Sequence, residues 1–229
     1  MPSARVASMN DNRPDDSKAA LAALDLVHHN DTLRDASPAE IIRWALALEQ
    51  PLIATTSFSP NSAVMLHHLV QAKPDLPLIW VDSGYNTRDT YLIAEQLITD
   101  LALNITVFTP KMSAARRDAL MGVPMPDEDE ALHREFTRQV KLEPFERALD
   151  AFKPAIWISG IRREETAFRK TLDILSWDSR GILKVAPLFY WTEAEVEAHM
   201  AAYQLPTCRK YFDPTKVADN RECGLHTGA

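Results

Sequence analysis

Residues 52–71 read Leu52-Ile53-Ala54-Thr55-Thr56-Ser57-Phe58-Ser59-Pro60-Asn61-Ser62 and continue as AVMLHHLVQ. A short apolar, β-branched run over 52–56 gives way to a hydroxyl-rich loop. The apolar spacing then becomes that of a helix, with Val64, Leu66, His67 and Val70 recurring. Strand, polar loop and helix in that order form the opening unit of a parallel sheet. The loop brings side-chain hydroxyls to the free N–H groups of a helix start, a combination suited to an anion. Pro60 fits the first helical position, where its missing N–H is not needed. A plainer reading, that Ser59 only caps the helix, stays open on these residues alone.

The same alternation continues downstream. Leu78–Val81 and Ile105–Phe108 read as buried strands on either side of a helix from Thr87 to about Leu101, whose inner stripe is Tyr91, Ala94, Leu97, Ile98 and Leu101. Leu142-Glu143-Pro144 opens a helix through Phe152, and residues 155–159 form a fourth strand. Leu172–Trp177 and Ile182–Val185 suggest a hairpin around residues 178–181, and Thr192 with Glu195 caps a helix to about Tyr203. Upstream, Leu21–Val27 reads as a short helix, and Ser37-Pro38-Ala39-Glu40 is a capping box opening a helix to Leu48. Residues 110–130 give no clear pattern beyond an acidic loop at 124–130. The expected organisation is a disordered tail over 1–20, one α/β domain over 21–204 and an aperiodic segment over 205–229.

Composition narrows the function. The chain has 229 residues and a net charge of −7, which argues against a bulk-electrostatic nucleic-acid binder. Its six glycines cannot spell the dinucleotide-binding fingerprint or the Walker loop. Two cysteines cannot supply a four-thiolate iron–sulfur cluster or a Cys₄ zinc site from one chain. No apolar run reaches the roughly 18 residues of a membrane span, and residues 1–20 carry no signal-peptide core. The expected setting is cytoplasmic, with no membrane partner.

Ligands of open parallel sheets bind beyond the carboxyl ends of the strands. Three loops lie there: Ser57-Phe58-Ser59, then Asp82-Ser83-Gly84-Tyr85, then Gly160-Ile161-Arg162-Arg163. The paired arginines suit an anionic group, although on these residues alone a surface salt bridge with Glu164 and Glu165 is the favoured reading. Near the end, Arg221-Glu222-Cys223-Gly224-Leu225-His226 places a thiol between two groups that favour its thiolate. A chance exposed thiol and a Cys-x₂-His metal site remain alternatives, but the metal reading lacks a second ligand pair.

Together these segments resemble the assimilatory sulfonucleotide reductases, in their thioredoxin-dependent branch acting on phosphoadenylyl sulfate (PAPS). The likeness spans about Leu52 to His226 and rests on TTSFSPNSAVMLHHL, VDSGYNTRDTY, KLEPFERAL, SGIRREETAFR, GILKVAPLFYW and ECGLHTG. It implies an α/β fold of the adenine nucleotide α-hydrolase-like class, with a mostly parallel sheet and helices on both faces. It further implies that Ser57, Phe58 and Ser59 form the phosphate loop and that Asp82, Ser83, Gly84 and Tyr85 line the nucleotide site. Lys141, Gly160, Arg162, Arg163, Arg221 and His226 would bind substrate. Cys223, on a mobile tail over 205–229, would be the nucleophile forming an S-sulfocysteine. Thioredoxin or glutaredoxin would supply the reductant. The resemblance implies no bound cofactor, no iron–sulfur cluster and no metal, and the family is commonly dimeric.

Two residue patterns depart from the family. Ser59 stands where glycine is usual, and residues 212–220 are fewer than the family generally has between Tyr211 and Arg221. A cluster-free reductase of adenylyl sulfate (APS) and a divergent non-catalytic nucleotide binder are the alternative readings. An ATP-pyrophosphatase relative ranks below them, because the SGGxDS pattern is absent. Cys208 is either a resolving thiol or a plain packed cysteine.

Overall fold

The computed structural model describes residues 21–125, 127–216, Glu222 and Leu225. The expectation of disorder over residues 1–20 lies outside them. The β-branched run becomes β1 (Leu52–Thr56), and β2 (Leu78–Val81) and β3 (Ile105–Phe108) follow outward on one side of it. The chain then returns, and β4 (Ile156–Ile158) pairs with the other side of β1. β5 (Leu175–Trp177) and β6 (Leu183–Val185) complete the order β3-β2-β1-β4-β6-β5, in which β5 alone runs antiparallel. The strand order therefore reverses between β1 and β4, and their carboxyl ends open a crevice there.

Side chains alternate between the two faces, as period-2 geometry requires. Ala54, Leu78, Trp80, Ile156 and Ile158 point into the larger core. That core is completed by α1 (Leu26–Leu33), α2 (Pro38–Ala47), α3 (Ser62–Ala72), α4 (Arg88–Asp100) and α8 (Glu193–Ala202). Ile53, Ile79 and Trp157 point to the opposite face, where Phe145, Ala148 and Leu149 of α7 (Glu143–Phe152) cover them. Both faces of the sheet are thus buried under helices, which is why its strands read as continuous apolar runs. No helix among the described residues is long and apolar enough to cross a membrane.

The structure moves several boundaries. Leu21 and Ala22 are helical, but the expected helix over 21–27 is broken at residues 24–25, and α1 starts anew at Leu26 because the Asp25 carboxylate accepts from the N–H groups of Val27 and His28. Helix α3 begins at Ser62 after Asn61, so Pro60 is not its first residue and Ser59 is not its cap. The unreadable stretch contains α5 (Ala114–Leu120), capped by Ser113, and α6 (Glu130–Thr137), capped by Asp129. The hairpin's first strand is confined to 175–177.

Helix α7 does not start afresh at Leu142. A π-turn over Arg138–Leu142 joins α6 to α7, with the Glu143 N–H bonded to the Arg138 carbonyl. Pro144 has no N–H to give the ordinary ladder, and the widened turn absorbs that loss. The extra residue also keeps Phe136, Val140, Phe145 and Ala148 all buried across a junction where strict helical spacing would turn one stripe outward.

Helices α3 and α8 meet through imidazoles. His67 Nδ1 lies 3.0 Å from His199 Nε2, and the His68 and His199 rings are 4.5 Å apart. Burial, together with the charges of His199 and His67, pushes the His68 pKa down to about 4. Burial lowers those of His67 and His199 as well. A histidine whose folded-state pKa is depressed stabilises the fold above its ordinary value of 6.5, and that contribution is lost as pH falls through the folded value. Stability in urea is therefore expected to fall between pH 7 and pH 4. His68→Leu should make the fall shallower; an identical pH profile in the variant would contradict this account.

Candidate functional site

The crevice between β1 and β4 holds a cavity of about 360 Å³. Its floor is the loop after β1. There the backbone turns at Phe58, which adopts a left-handed conformation (φ 50°) while its ring is fully buried edge-on to Trp80 at 4.9 Å. A bulky residue in that region is disfavoured by about 1–2 kcal/mol, and the buried ring offsets it. Thr56 Oγ1 accepts from the Phe58 N–H at 3.2 Å, and the Ser59 carbonyl accepts from the Ser62 N–H at 2.9 Å. The positive φ thus falls on Phe58, and Ser59, the departure from glycine, needs no unusual backbone. Its hydroxyl lies 3.0 Å from that of Ser62. Ser57 and Ser59 both line the cavity, beside the N-terminal end of α3.

The wall opposite is built from the loop after β4 and from residues 211–216. Gly160, Arg162 and Arg169 line it, as do Lys141 from the π-turn and Lys216. Arg162 donates to Glu164 at 2.6 Å and to Glu193 at 2.5 Å. Arg169 pairs with Glu165 and donates through Nε to Glu222 Oε1 at 2.8 Å. Thr166 Oγ1 donates to the same Glu222 oxygen at 2.6 Å. Burial works against the Glu222 charge, but the hydrogen bonds from Arg169 and Thr166 outweigh it and hold its pKa below the ordinary value. Lys141 donates to Asp213, whose other oxygen accepts from the Thr215 N–H at 3.0 Å and hydroxyl at 2.6 Å. Burial again opposes the Asp213 charge, and the Lys141 cation with these hydrogen bonds carries its pKa down to about 2.

The predicted site residues divide accordingly. Ser57, Ser59, Ser83, Lys141, Gly160 and Arg162 line one cavity. Phe58, Asp82, Gly84 and Tyr85 do not line it but shape the loops beneath. Asp82 Oδ1 accepts from the Gly84 N–H, Asn86 Nδ2 and the Tyr91 hydroxyl at 2.8–3.0 Å, which locks a turn whose Gly84 has φ 80°. Tyr85 donates to Asp118 at 2.6 Å and stacks near Phe136. Arg163 is exposed and stands outside the cavity, because its backbone N–H is tied to the Phe189 carbonyl while Arg162 turns inward. Arg221, Cys223 and His226 lie outside the described residues. Glu222 and Leu225, however, both reach the site, Glu222 on Arg169 and Leu225 in the cavity wall.

Sequence reasoning missed Arg169, Asp213 and Lys216. The signal for Arg169 was its place seven residues beyond Arg162 in the same loop; the aperiodic stretch around Asp213 gave none. Cys208 is fully buried, with its Sγ 3.3 Å from Thr90 Oγ1. It packs as a core thiol, in keeping with the plain packed cysteine of the two readings. No group of three or more metal-ligating side chains occurs among the described residues.

Comparison with known proteins agrees with this geometry. A profile of the phosphoadenosine phosphosulfate reductase domain matches residues 51–213. Proteins named phosphoadenosine 5'-phosphosulfate reductase are similar along most of their length. The one from Photobacterium profundum is 35% identical over 226 residues, covering 89% of this chain and 88% of its own. The one from Synechocystis sp. is 36% identical over 200 residues, covering 86% and 79%. Among solved structures, the PAPS reductase of Candida auris in a phosphate complex superposes with a TM-score of 0.68 at 26% identity, over 79% of this chain and 86% of that one. The Candida glabrata FMN adenylyltransferase shares the fold alone, with a TM-score of 0.55 at 13% identity over 84% of this chain and 64% of that one.

The Asp213–Lys141 pair generates a prediction. Asp213→Asn leaves a buried ammonium beside a neutral amide and should destabilise by about 3 kcal/mol. With its folded-state pKa below the ordinary 3.8, Asp213 stabilises the fold above about pH 4, and that contribution is lost as pH falls through about 2. Urea titrations should show a smaller acid loss in the variant than in wild type over that window. Equal losses would mean the pair contributes nothing to acid stability.

Proposed function

The chain belongs to the phosphoadenosine phosphosulfate reductase family, and we propose that it reduces 3′-phosphoadenylyl sulfate to sulfite and adenosine 3′,5′-bisphosphate through an S-sulfocysteine on Cys223. The observation that carries this reading is the arrangement around the cavity. A hydroxyl-lined helix start and buried basic side chains face one another, and Glu222 and Leu225, which flank Cys223 closely in sequence, both meet that wall. The cavity supplies what a phosphosulfate ester requires, namely donors and cations for its anionic oxygens.

In this mechanism the Cys223 thiolate attacks the sulfur of the substrate. The bond between sulfur and the bridging phosphate oxygen breaks, and the bisphosphate leaves with that electron pair. The enzyme then carries Cys223–S–SO₃⁻. A thiolate of a dithiol partner attacks Cys223 Sγ, sulfite departs, and a mixed disulfide forms. The partner's second thiol resolves it, so the partner is oxidised and Cys223 returns as a thiol. Thioredoxin or glutaredoxin has the required pair. This chain does not, since it has two cysteines and Cys208 is packed in the core. The same count is the reason no iron–sulfur cluster enters the reading. The reaction belongs to the assimilation of sulfate in the cytoplasm.

The test is sulfite release from PAPS and from APS with thioredoxin, thioredoxin reductase and NADPH. Wild type should release sulfite from PAPS, Cys223→Ser should release none, and Cys208→Ser should match wild type. Sulfite from APS alone would overturn the substrate. Sulfite from neither, in folded protein, would overturn the reaction.

A further inference from the structure

The four cations on the cavity wall differ in what already holds them. Arg162 is enclosed by Glu164, Glu165 and Glu193, Arg169 by Glu165 and Glu222, and Lys141 is paired with Asp213. These carboxylates outnumber the cations they neutralise. An anion arriving at any of the three competes with a protein carboxylate, and displacing that carboxylate from a buried pair is unfavourable. Lys216 is different. Among the described residues it forms no hydrogen bond or ion pair through its ammonium group, although it lines the same cavity.

Its position is not left to chance. The Lys216 N–H donates to the Asp213 carbonyl at 3.0 Å, closing a turn through Pro214 and Thr215. The Asp213 carboxylate braces that turn from inside and is itself anchored by Lys141. Leu225, two residues beyond Cys223, lines the same cavity as Lys216. The positive charge therefore stands in the cavity whose wall the tail meets.

We propose that Lys216 binds the terminal anionic group of the substrate's phosphosulfate, and that the Asp213–Lys141 pair positions it for this. The inference rests on reading the site as one for a sulfonucleotide, and it assigns Lys216 to the sulfonate end and not to the 3′-phosphate. A long flexible stem carrying a point charge suits an oxygen cluster that changes partner during the reaction.

Binding can be tested without turnover. ADP carries a terminal phosphate where the substrate carries its sulfonate, AMP lacks it, and adenosine 3′,5′-bisphosphate carries the 3′-phosphate instead. Calorimetric titration should show that Lys216→Met weakens ADP by roughly tenfold while AMP and the bisphosphate change by less than about twofold. Lys216→Arg should recover most of the ADP affinity, and unfolding curves should show both variants folded. Unchanged ADP affinity in Lys216→Met would overturn the assignment. So would equal weakening of all three nucleotides, or weakening confined to the bisphosphate, or a wild type that binds no ADP. A wild type that releases no sulfite from PAPS yet shows the selective ADP loss would overturn the reductase reading and leave the anion assignment standing.

Discussion

Strand β1 is paired in parallel on both sides, with β2 on one and β4 on the other. Everything at the site follows from that double pairing. A strand hydrogen-bonded on both edges and covered on both faces is apolar where it is buried, and β1 turns polar only at Thr55 and Thr56. Its polar residues then accumulate in the loop that leaves it. Because the chain winds outward through β2 and β3 before returning to β4, the loops after β1 and β4 flank a crevice where the strand order reverses. The hydroxyls of Ser57 and Ser59 come from one lip, and Gly160, Arg162 and Arg169 from the other.

Charge in that crevice is balanced before any ligand arrives. Buried arginines are satisfied by Glu165, Glu193 and Glu222, and a buried lysine by Asp213. Such pairs contribute little net stability when intact but are costly to break singly. They keep basic side chains ordered inside a protein whose overall charge is negative. At these three side chains an arriving anion competes with a protein carboxylate, whereas Lys216 on the same wall makes no ion pair among the described residues.

The sheet could be read from the sequence because its signals are local. Strands β1 to β4 are short runs dominated by apolar residues, and three of the longer helices carry side-chain caps, at Ser37, Thr87 and Thr192. The loops after the strands were equally plain, and they supplied five of the predicted residues that line the cavity, Ser57, Ser59, Ser83, Gly160 and Arg162. What could not be read was set by distant contacts. The π-turn depends on Pro144 meeting a stripe that includes Phe136, eight positions earlier. The inward turn of Arg162, against the exposed Arg163, depends on Glu193, which is 31 positions away. The role of Asp213 depends on Lys141, 72 positions away. Periodicity carries no trace of such pairs.

The short stretch after Tyr211 shows how few residues can close this side of the crevice. Length is one way to bring a segment over a cavity, because a long loop can wrap and pack. Residues 211–216 use a charge instead. Asp213 is driven into the wall by Lys141, Thr215 fills its remaining acceptor positions, and Pro214 fixes the backbone between them. The ordering entropy of six residues is small beside that of a long insertion, so one buried pair suffices to hold them. Lys141 lines the cavity and also holds Asp213, so it anchors the turn that carries Lys216 to the same wall.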